Sequence, residues 1–298
     1  MNQVWRDGAK IHVPVMPSEV LSYLNISKDG TYVDGTIGLG GHSSLILPHL
    51  STKGHLIGID RDVEALEICK KGLSKYQSTL SLFNESYHNL DSILDQLEID
   101  SVNGILLDLG LSSFQLDSQD RGFSYKIDSE LDMRFDKSQK TNANQILNKL
   151  PEKELADILF FNGEERRSRA IARSIIKMRP LLKVSDLVES IRKSTPPSKR
   201  NKSIARVFQA IRIAVNDELK NLDTFLSSFC DRLIEGGRIV IISFHSLEDR
   251  KVKHCFRSLK HKQKLSILTK KPLIPTQKEI FNNKKSKSAK LRAAERIL

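Results

Sequence analysis

Residues 32–44 read "YVDGTIGLGGHSS": an apolar stretch ending in an acid, four glycines, a histidine, and the start of an apolar helical pattern. A loop of this kind joins a buried strand to a helix and lets a ligand approach backbone that carries no side chains. Which ligand it holds, and for what reaction, depends on the rest of the chain.

The same alternation continues outward from the loop. "PSEVLSYLNI" reads as a helix before it, and "SSLILPHL" as a short helix after it. "GHLIGID" is a second strand followed by the amphipathic "VEALEICKKGLSKY", "TLSLFNES" a third, "NLDSILDQLE" a helix and "GILLDLG" a fourth strand. Apolar strands separated by amphipathic helices predict βαβ units and a parallel sheet buried on both faces. After Gln115 the rhythm changes. Residues 117–202 carry the helical patterns "NANQILNKL", "PEKELADILFF", "RRSRAIARSIIKM" and "VSDLVESIRKS", without a buried strand, and close on the basic, proline-containing "STPPSKRNKS". One long helix, "IARVFQAIRIAVNDELKNLDTFLSSFCDRL", a turn at Gly236-Gly237 and the strand "RIVIISF" then restore the sheet pattern. Two more strands with a basic connection are expected between "KLSILTKKPLIP" and "KLRAAERIL". The expected organisation is an α/β domain built from residues 1–116 and 203–298, interrupted by an all-α domain at 117–202.

Composition narrows the partners. Hydrophobic residues at 39% fill a core, and no run reaches the roughly 18 apolar residues of a membrane span. The opening "MNQVWRDGAKIHVPVM" has charges where a signal peptide needs its apolar core, so a cytoplasmic protein is expected. Cys69, Cys230 and Cys255 lie far apart, each in an apolar helical pattern. Reduced, buried thiols and no metal site are expected. The net charge of +12 is segregated: residues 250–298 hold 16 Lys/Arg against Glu279 and Glu295, and residues 163–212 hold 14 against four acids, leaving the remaining body net acidic. Two basic surfaces on an acidic body point to a polyanion, with Arg166, Arg167, Arg169 and Arg173 as phosphate contacts. A solvated basic tail and a salt-bridged helix are the plainer alternative.

Two cofactor templates fit the glycine loop imperfectly. Dinucleotide sites read G-x-G-x-x-G/A; from Gly38 this chain reads G-L-G-G-H-S, with Ser43 where the third small residue belongs. Loops that bind S-adenosylmethionine read acidic-x-G-x-G-x-G, here Asp34-x-Thr36-x-Gly38-x-Gly40. Both cofactors carry a ribose, so neither match decides alone. Asp60 closes the second strand, where an acid receives ribose hydroxyls or caps the helix of "RDVEAL". Asp108 ends the fourth strand at the sheet edge where open α/β folds bind ligands. A carboxylate there suits a sulfonium and an ammonium better than a nicotinamide.

The stretches "DGTIGLGGHS", "GILLDLGLSSFQLD", "RGFSY", "LDMRFD", "GEER", "FQAIRIAVNDEL", "ISFHSLEDR" and "SAKLRAAER", in this order from His12 to Ile297, resemble the RsmH (MraW) family. The most specific are "ISFHSLEDR" and the glycine loop; Ile37 departs from a position where the family often has Phe. The resemblance implies a Rossmann-like class I S-adenosylmethionine-dependent methyltransferase sheet with an inserted all-α domain. It further implies methylation of the exocyclic N4 of a specific cytidine in 16S ribosomal RNA, at the decoding/P-site region of the small ribosomal subunit. Its cofactor contacts carry over to Gly40, Gly41, His42, Asp60, Tyr87, Asp108 and Gln115. By spacing alone, His42 reads better as a helix cap, while for Tyr87 a core aromatic is the lesser alternative.

A cytosine amine is a weak nucleophile, because its lone pair is delocalised into the ring. Attack on a sulfonium methyl therefore needs in-line placement and acceptors for the N4 hydrogens. Many amino-methyltransferases place D/N/S-P-P-aromatic after strand four, whereas this chain has "DLGLSS". The carbonyls of Leu109 and Gly110, with Ser112 or Ser113, are substitute acceptors. Asn216 and His245 are the catalytic candidates near strand five, and no general base is assigned. A nicotinamide-linked oxidoreductase, an RNA-binding assembly factor without catalysis, and a methylase of DNA or a small molecule stay open as readings.

Overall fold

A computed structural model describes residues 13–297. Residues 1–12, which carry the signal-peptide reading and the first residue of the family resemblance, lie outside the described residues. So does the Ser113 side chain. The chain divides into two compact units, one formed by residues 1–110 and 219–298 and the other by 111–218.

The first unit is a seven-stranded sheet. Its strands are β1 (Thr31–Asp34), β2 (His55–Asp60), β3 (Leu80–Asn84), β4 (Val102–Asp108), β5 (Leu233–Ser243), β6 (Leu265–Ile267) and β7 (Lys290–Arg296), in the order β3-β2-β1-β4-β5-β7-β6. The strands β1 to β5 pair in parallel, while β7 runs antiparallel to both β5 and β6. Period-two alternation splits the side chains of each strand between two cores. Ile57, Ile105, Leu107, Ile239 and Ile241 face one core with Phe225 and Phe229. Leu56, Leu106, Val240 and Ile242 face the other with Met16 and Ile46. Both faces are covered, which is why these strands read as near-continuous apolar runs.

Three details depart from the expectations drawn from sequence. Gly236 and Gly237 do not form a turn ahead of β5; they lie within it. Val102 pairs with Leu233 and Gly104 with Arg238, so extra residues bulge from the fifth strand, with Gly236 at φ +75°. The basic connection between β6 and β7 contains a helix, Gln277–Asn282. The single long helix is two helices, Arg200–Asn216 and Glu218–Ser228, separated by Asp217 in the left-handed region at φ +53°.

That break explains the domain boundaries. Val207, Phe208, Ala210 and Ile211 of the first helix belong to the core of the helical unit. Leu222, Phe225 and Leu226 of the second belong to the sheet core. The compact helical unit therefore spans 111–218, wider at both ends than the expected 117–202. Its other helices, Ser113–Asp117, Ala143–Lys149, Glu152–Phe161, Ser168–Met178 and Val184–Ser194, include all four sequence patterns. Among its described residues, the one β-type pairing is an isolated bridge between Glu130 and Lys183. Arg121 is fully buried, and its guanidinium donates through one nitrogen to the carbonyls of Arg134 and Phe135.

Candidate active site

The sheet order reverses between β1 and β4, and the carboxyl ends of β1, β2 and β4 each finish on an acid: Asp34, Asp60 and Asp108. A switch point of this kind leaves a crevice where open α/β sheets bind ligands. The glycine loop crosses it. Gly38 (φ +51°) and Gly40 (φ +84°) both occupy the left-handed region. A Cβ on Gly40 would meet Leu73 Cδ1 at 2.9 Å and Cys69 Sγ at 3.0 Å, so this glycine is required by the packing of the loop on helix Val63–Gly72. A Cβ on Gly38 would meet nothing closer than Asp60 Oδ2 at 3.9 Å, so this is the glycine that opens onto free space.

Hydrogen bonds fix the loop to the strand ends. The Gly38 N–H donates to Asp60 Oδ2 at 2.8 Å, and the Asp62 N–H to Asp60 Oδ1 at 2.9 Å. The cap of the following helix is Asp62, which accepts from Glu64 and Ala65, so Asp60 is not the cap. Burial pushes the Asp60 carboxyl up to about 6, against the two N–H donors, with Asp62 and Asp34 adding repulsion. Asp34 is buried and also raised, chiefly by burial, although it accepts from the Ser43 hydroxyl at 2.7 Å. Thr36, which replaces a glycine of the template, accepts from the Asp108 N–H at 2.6 Å and so ties β1 to β4. Ile37 places its Cδ1 where a Cβ of Gly58 would stand, 2.4 Å from that point, so the apolar substitution fills a gap over β2.

His42 does not cap its helix with its side chain. Its Nε2 lies 3.3 Å from Asp108 Oδ2, too poorly aligned for a hydrogen bond, and both ring nitrogens are buried without hydrogen-bond partners. Asp108 Oδ1 is likewise buried and unpartnered. Orphaned polar atoms beside an open glycine loop are a site built for a ligand with donors. Tyr87, in the turn after β3, packs its Cβ 3.1 Å from where a Gly35 Cβ would stand. Its ring meets Phe225 edge-on at 5.6 Å. The structure thus brings together Gly40, Gly41, His42, Asp60, Tyr87 and Asp108 in the sheet unit.

The remaining candidates also serve structural hydrogen bonds. Gln115 lies in the helical unit, buried, and its Oε1 accepts from the Ser112 N–H while Ser112 Oγ accepts from the Gln115 N–H, a reciprocal cap. Asn216 is buried in the same unit, donating to the Met133 and Arg212 carbonyls and accepting from the Phe135 N–H. Both of its amide hydrogens are thereby engaged. His245 caps helix Ser246–His261 through Nδ1, which accepts from the Glu248 N–H. Glu248 in turn accepts from the Phe244 N–H. Sequence reading missed Phe244, whose ring stands 3.2 Å from the position of a Gly110 Cβ at the end of β4, and placed Asp34 and Ser43 in the loop templates without the hydrogen bond by which they brace the loop. The acidic position of the loop template was the available signal for Asp34. Cys69 and Cys230 are buried, and burial raises the Cys69 thiol to about 12, so it is protonated and unreactive.

A parallel sheet in this order, with one antiparallel strand set between the fifth and the edge, and a glycine loop braced by acids at three strand ends, defines a class I S-adenosylmethionine-dependent methyltransferase. The family model described as the MraW methylase family matches residues 9–297, and the chain belongs to that family. It is 49% identical over 291 residues to the ribosomal RNA small subunit methyltransferase H of Kosmotoga olearia, covering 96% of this chain and 97% of that protein. The proteins of the same name from Thermosipho africanus (49% over 290 residues; 96% and 98% covered) and Thermotoga neapolitana (47% over 292; 96% and 96%) are similar along the same length. No helix among the described residues is long and apolar enough to cross a membrane.

Proposed function

We propose that this chain methylates small-subunit ribosomal RNA, with the exocyclic N4 of a decoding-region cytidine in 16S rRNA as the acceptor. The observation that carries this reading is the near-full-length similarity to enzymes named for small-subunit rRNA methylation. The segregated charge supports it: residues 163–212 and 250–298 hold most of the cationic side chains. Arg166 and Arg169 are exposed, with no partner among the described residues, as phosphate-binding side chains need to be. Such a substrate places the enzyme in the cytoplasm.

S-adenosylmethionine supplies an electrophilic methyl group on a sulfonium. The residues at the switch point fit it. Asp60 has lone pairs left on both oxygens to receive ribose hydroxyls, and Tyr87 offers apolar surface for the adenine. Asp108 Oδ1, unpartnered and buried, would hold the cationic amino-acid end together with the Gly40-Gly41 backbone and His42. Gln115 is carried as a cofactor contact by the family resemblance alone. At the acceptor, the carbonyls of Leu109 and Gly110 would accept hydrogen bonds from the N4 amine, whose surplus proton would pass to water after methyl transfer, and the Phe244 ring would provide a flat wall against Gly110. Positioning of this kind is worth up to roughly 7–11 kcal/mol in favourable systems. The base has to leave its stack to arrive there.

The test is incubation of the chain with labelled S-adenosylmethionine and unmethylated small subunits, followed by mass spectrometry of the nucleosides. N4-methylcytidine at one position is the expected product. A labelled adenosine, a C5-methylated cytidine or no transfer overturns the reading.

A further inference from the structure

The helix Gln277–Asn282, in the connection between β6 and β7, carries the most exposed large apolar side chain among the described residues, Phe281, 84% accessible. A single exposed phenylalanine is ordinary. Its surroundings are not. Lys270, Lys271, Lys278, Lys284 and Lys287 are all exposed along the same connection. The one acid between residues 270 and 290 is Glu279. That acid turns inward: its Oε1 accepts from the Met16 N–H at 2.7 Å, and Asn283 Nδ2 donates to the Val13 carbonyl at 3.1 Å. The outward face is left with lysines and an aromatic ring.

These two bonds also locate the helix. Met16 is fully buried in the core that holds Ile37 of the glycine loop and Ile46 of the helix behind it. Glu279, raised by burial, lies within the field of His42. The lysine-and-ring face is therefore mounted on the sheet unit itself, on the side of the glycine loop.

A cationic surface with a free ring is the combination that holds unpaired nucleic acid: phosphates meet the charges and a base stacks on the ring. A lipid surface is a poorer match, because six helical residues give too short an apolar face to lie in a bilayer interface. We propose that Phe281 is a stacking platform for an unpaired base of the RNA substrate, with Lys278 and Lys284 holding the phosphates beside it. The proposal rests on RNA being the substrate and adds a contact outside the helical unit.

The experiment uses Phe281→Trp in the full chain, with Trp5, the single tryptophan of the sequence, replaced by Phe so that one indole reports. A short unpaired RNA oligonucleotide should quench the indole, whereas heparin, which has charge but no bases, and a fully paired RNA duplex should not. Phe281→Ala should weaken binding of the oligonucleotide at least about fivefold, with Phe281→Tyr restoring it, and S-adenosylmethionine affinity should stay at the parent value. Equal quenching by heparin, no quenching by the oligonucleotide, or a blue shift on phosphatidylglycerol vesicles in its place overturns the proposal. Methyl transfer to small subunits by the parent chain separates the two readings. Transfer without quenching removes the platform alone; quenching without transfer keeps the platform and removes the proposed reaction.

Discussion

The backbone N–H of Gly38 donates to the carboxylate of Asp60, so the glycine loop and the acid at the end of β2 are one mechanical piece. Replacing Asp60 by alanine would remove the loop's anchor together with any ribose acceptor. The informative variant is Asp60→Asn, which keeps the shape and an acceptor oxygen for the loop while deleting the charge.

The pH dependence of cofactor binding follows from the same carboxyl. With its folded value raised to about 6, Asp60 is stabilised by protonation in the free protein. That contribution is fully present below the unfolded value near 4 and lost as pH rises through 6. Ribose hydroxyls favour the ionised form, so S-adenosylmethionine affinity should be full above about pH 6. Below that it should fall, by at most roughly tenfold per pH unit. Calorimetry in two buffers of different ionisation enthalpy reads the released proton. The Asp60→Asn chain should bind more weakly with a flatter profile, and a parent profile flat between pH 5 and 7 would remove Asp60 from the site.

Gly38 and Gly40 should separate binding from packing. Gly40→Ala drives a methyl into Leu73 and Cys69 and should lower the melting temperature strongly. Gly38→Ala meets no such wall; its backbone cost is about 1–2 kcal/mol. The second variant should stay folded and lose cofactor affinity. Thermal melts paired with calorimetry decide, and full affinity in a folded Gly38→Ala chain would show that the ligand does not approach this residue.

Asn216 and His245 should behave as structural residues. Asn216→Ala orphans the Phe135 N–H and two carbonyls, at about 1–3 kcal/mol per buried group, so denaturant unfolding should show a marked loss. His245→Asn keeps a capping oxygen and should retain stability that His245→Ala loses, about 0.5–2 kcal/mol. A chain that remains stable but turns over slowly with unchanged binding would return either residue to the chemistry.

Of the arginines in the helical unit, Arg166 and Arg169 are the pair to neutralise. The Arg167 guanidinium is occupied by the Ser194 carbonyl, and Arg173 faces Glu152 at 3.5 Å. Arg166→Ala with Arg169→Ala should weaken RNA binding and flatten its salt dependence by roughly 0.7–0.9 log units per lost phosphate contact. Cofactor affinity should be unaffected. An unchanged salt slope would make these residues a solvated helix face.

Much of this was legible in the chain because local chemistry carried it. The loop's glycines, the acids closing β1, β2 and β4, and the four helical patterns of residues 117–202 are short-range signals. What the sequence hid was long-range. Helical spacing runs unbroken through Asp217, yet the apolar faces on its two sides enter different cores, and spacing cannot say which core a face will meet. Gly236-Gly237 looks like a turn because a bulge inside a strand uses the same residue. Asn216, His245 and Gln115 read as candidates because amides and imidazoles serve caps and catalysis alike, and spacing does not show their partners. Only their partners tell the two apart.

The position of β7 has a bearing on how such a chain is made. The strand lies inside the sheet, between β5 and β6, although it is made after the other six. Until it arrives, β5 has an open edge and β6 has nothing to pair with, so the domain cannot close in the order of its synthesis. A chain that stops short of Lys290 would lack an interior beam rather than a tail. The nascent sheet is therefore expected to wait, incomplete and with that edge exposed, for β7.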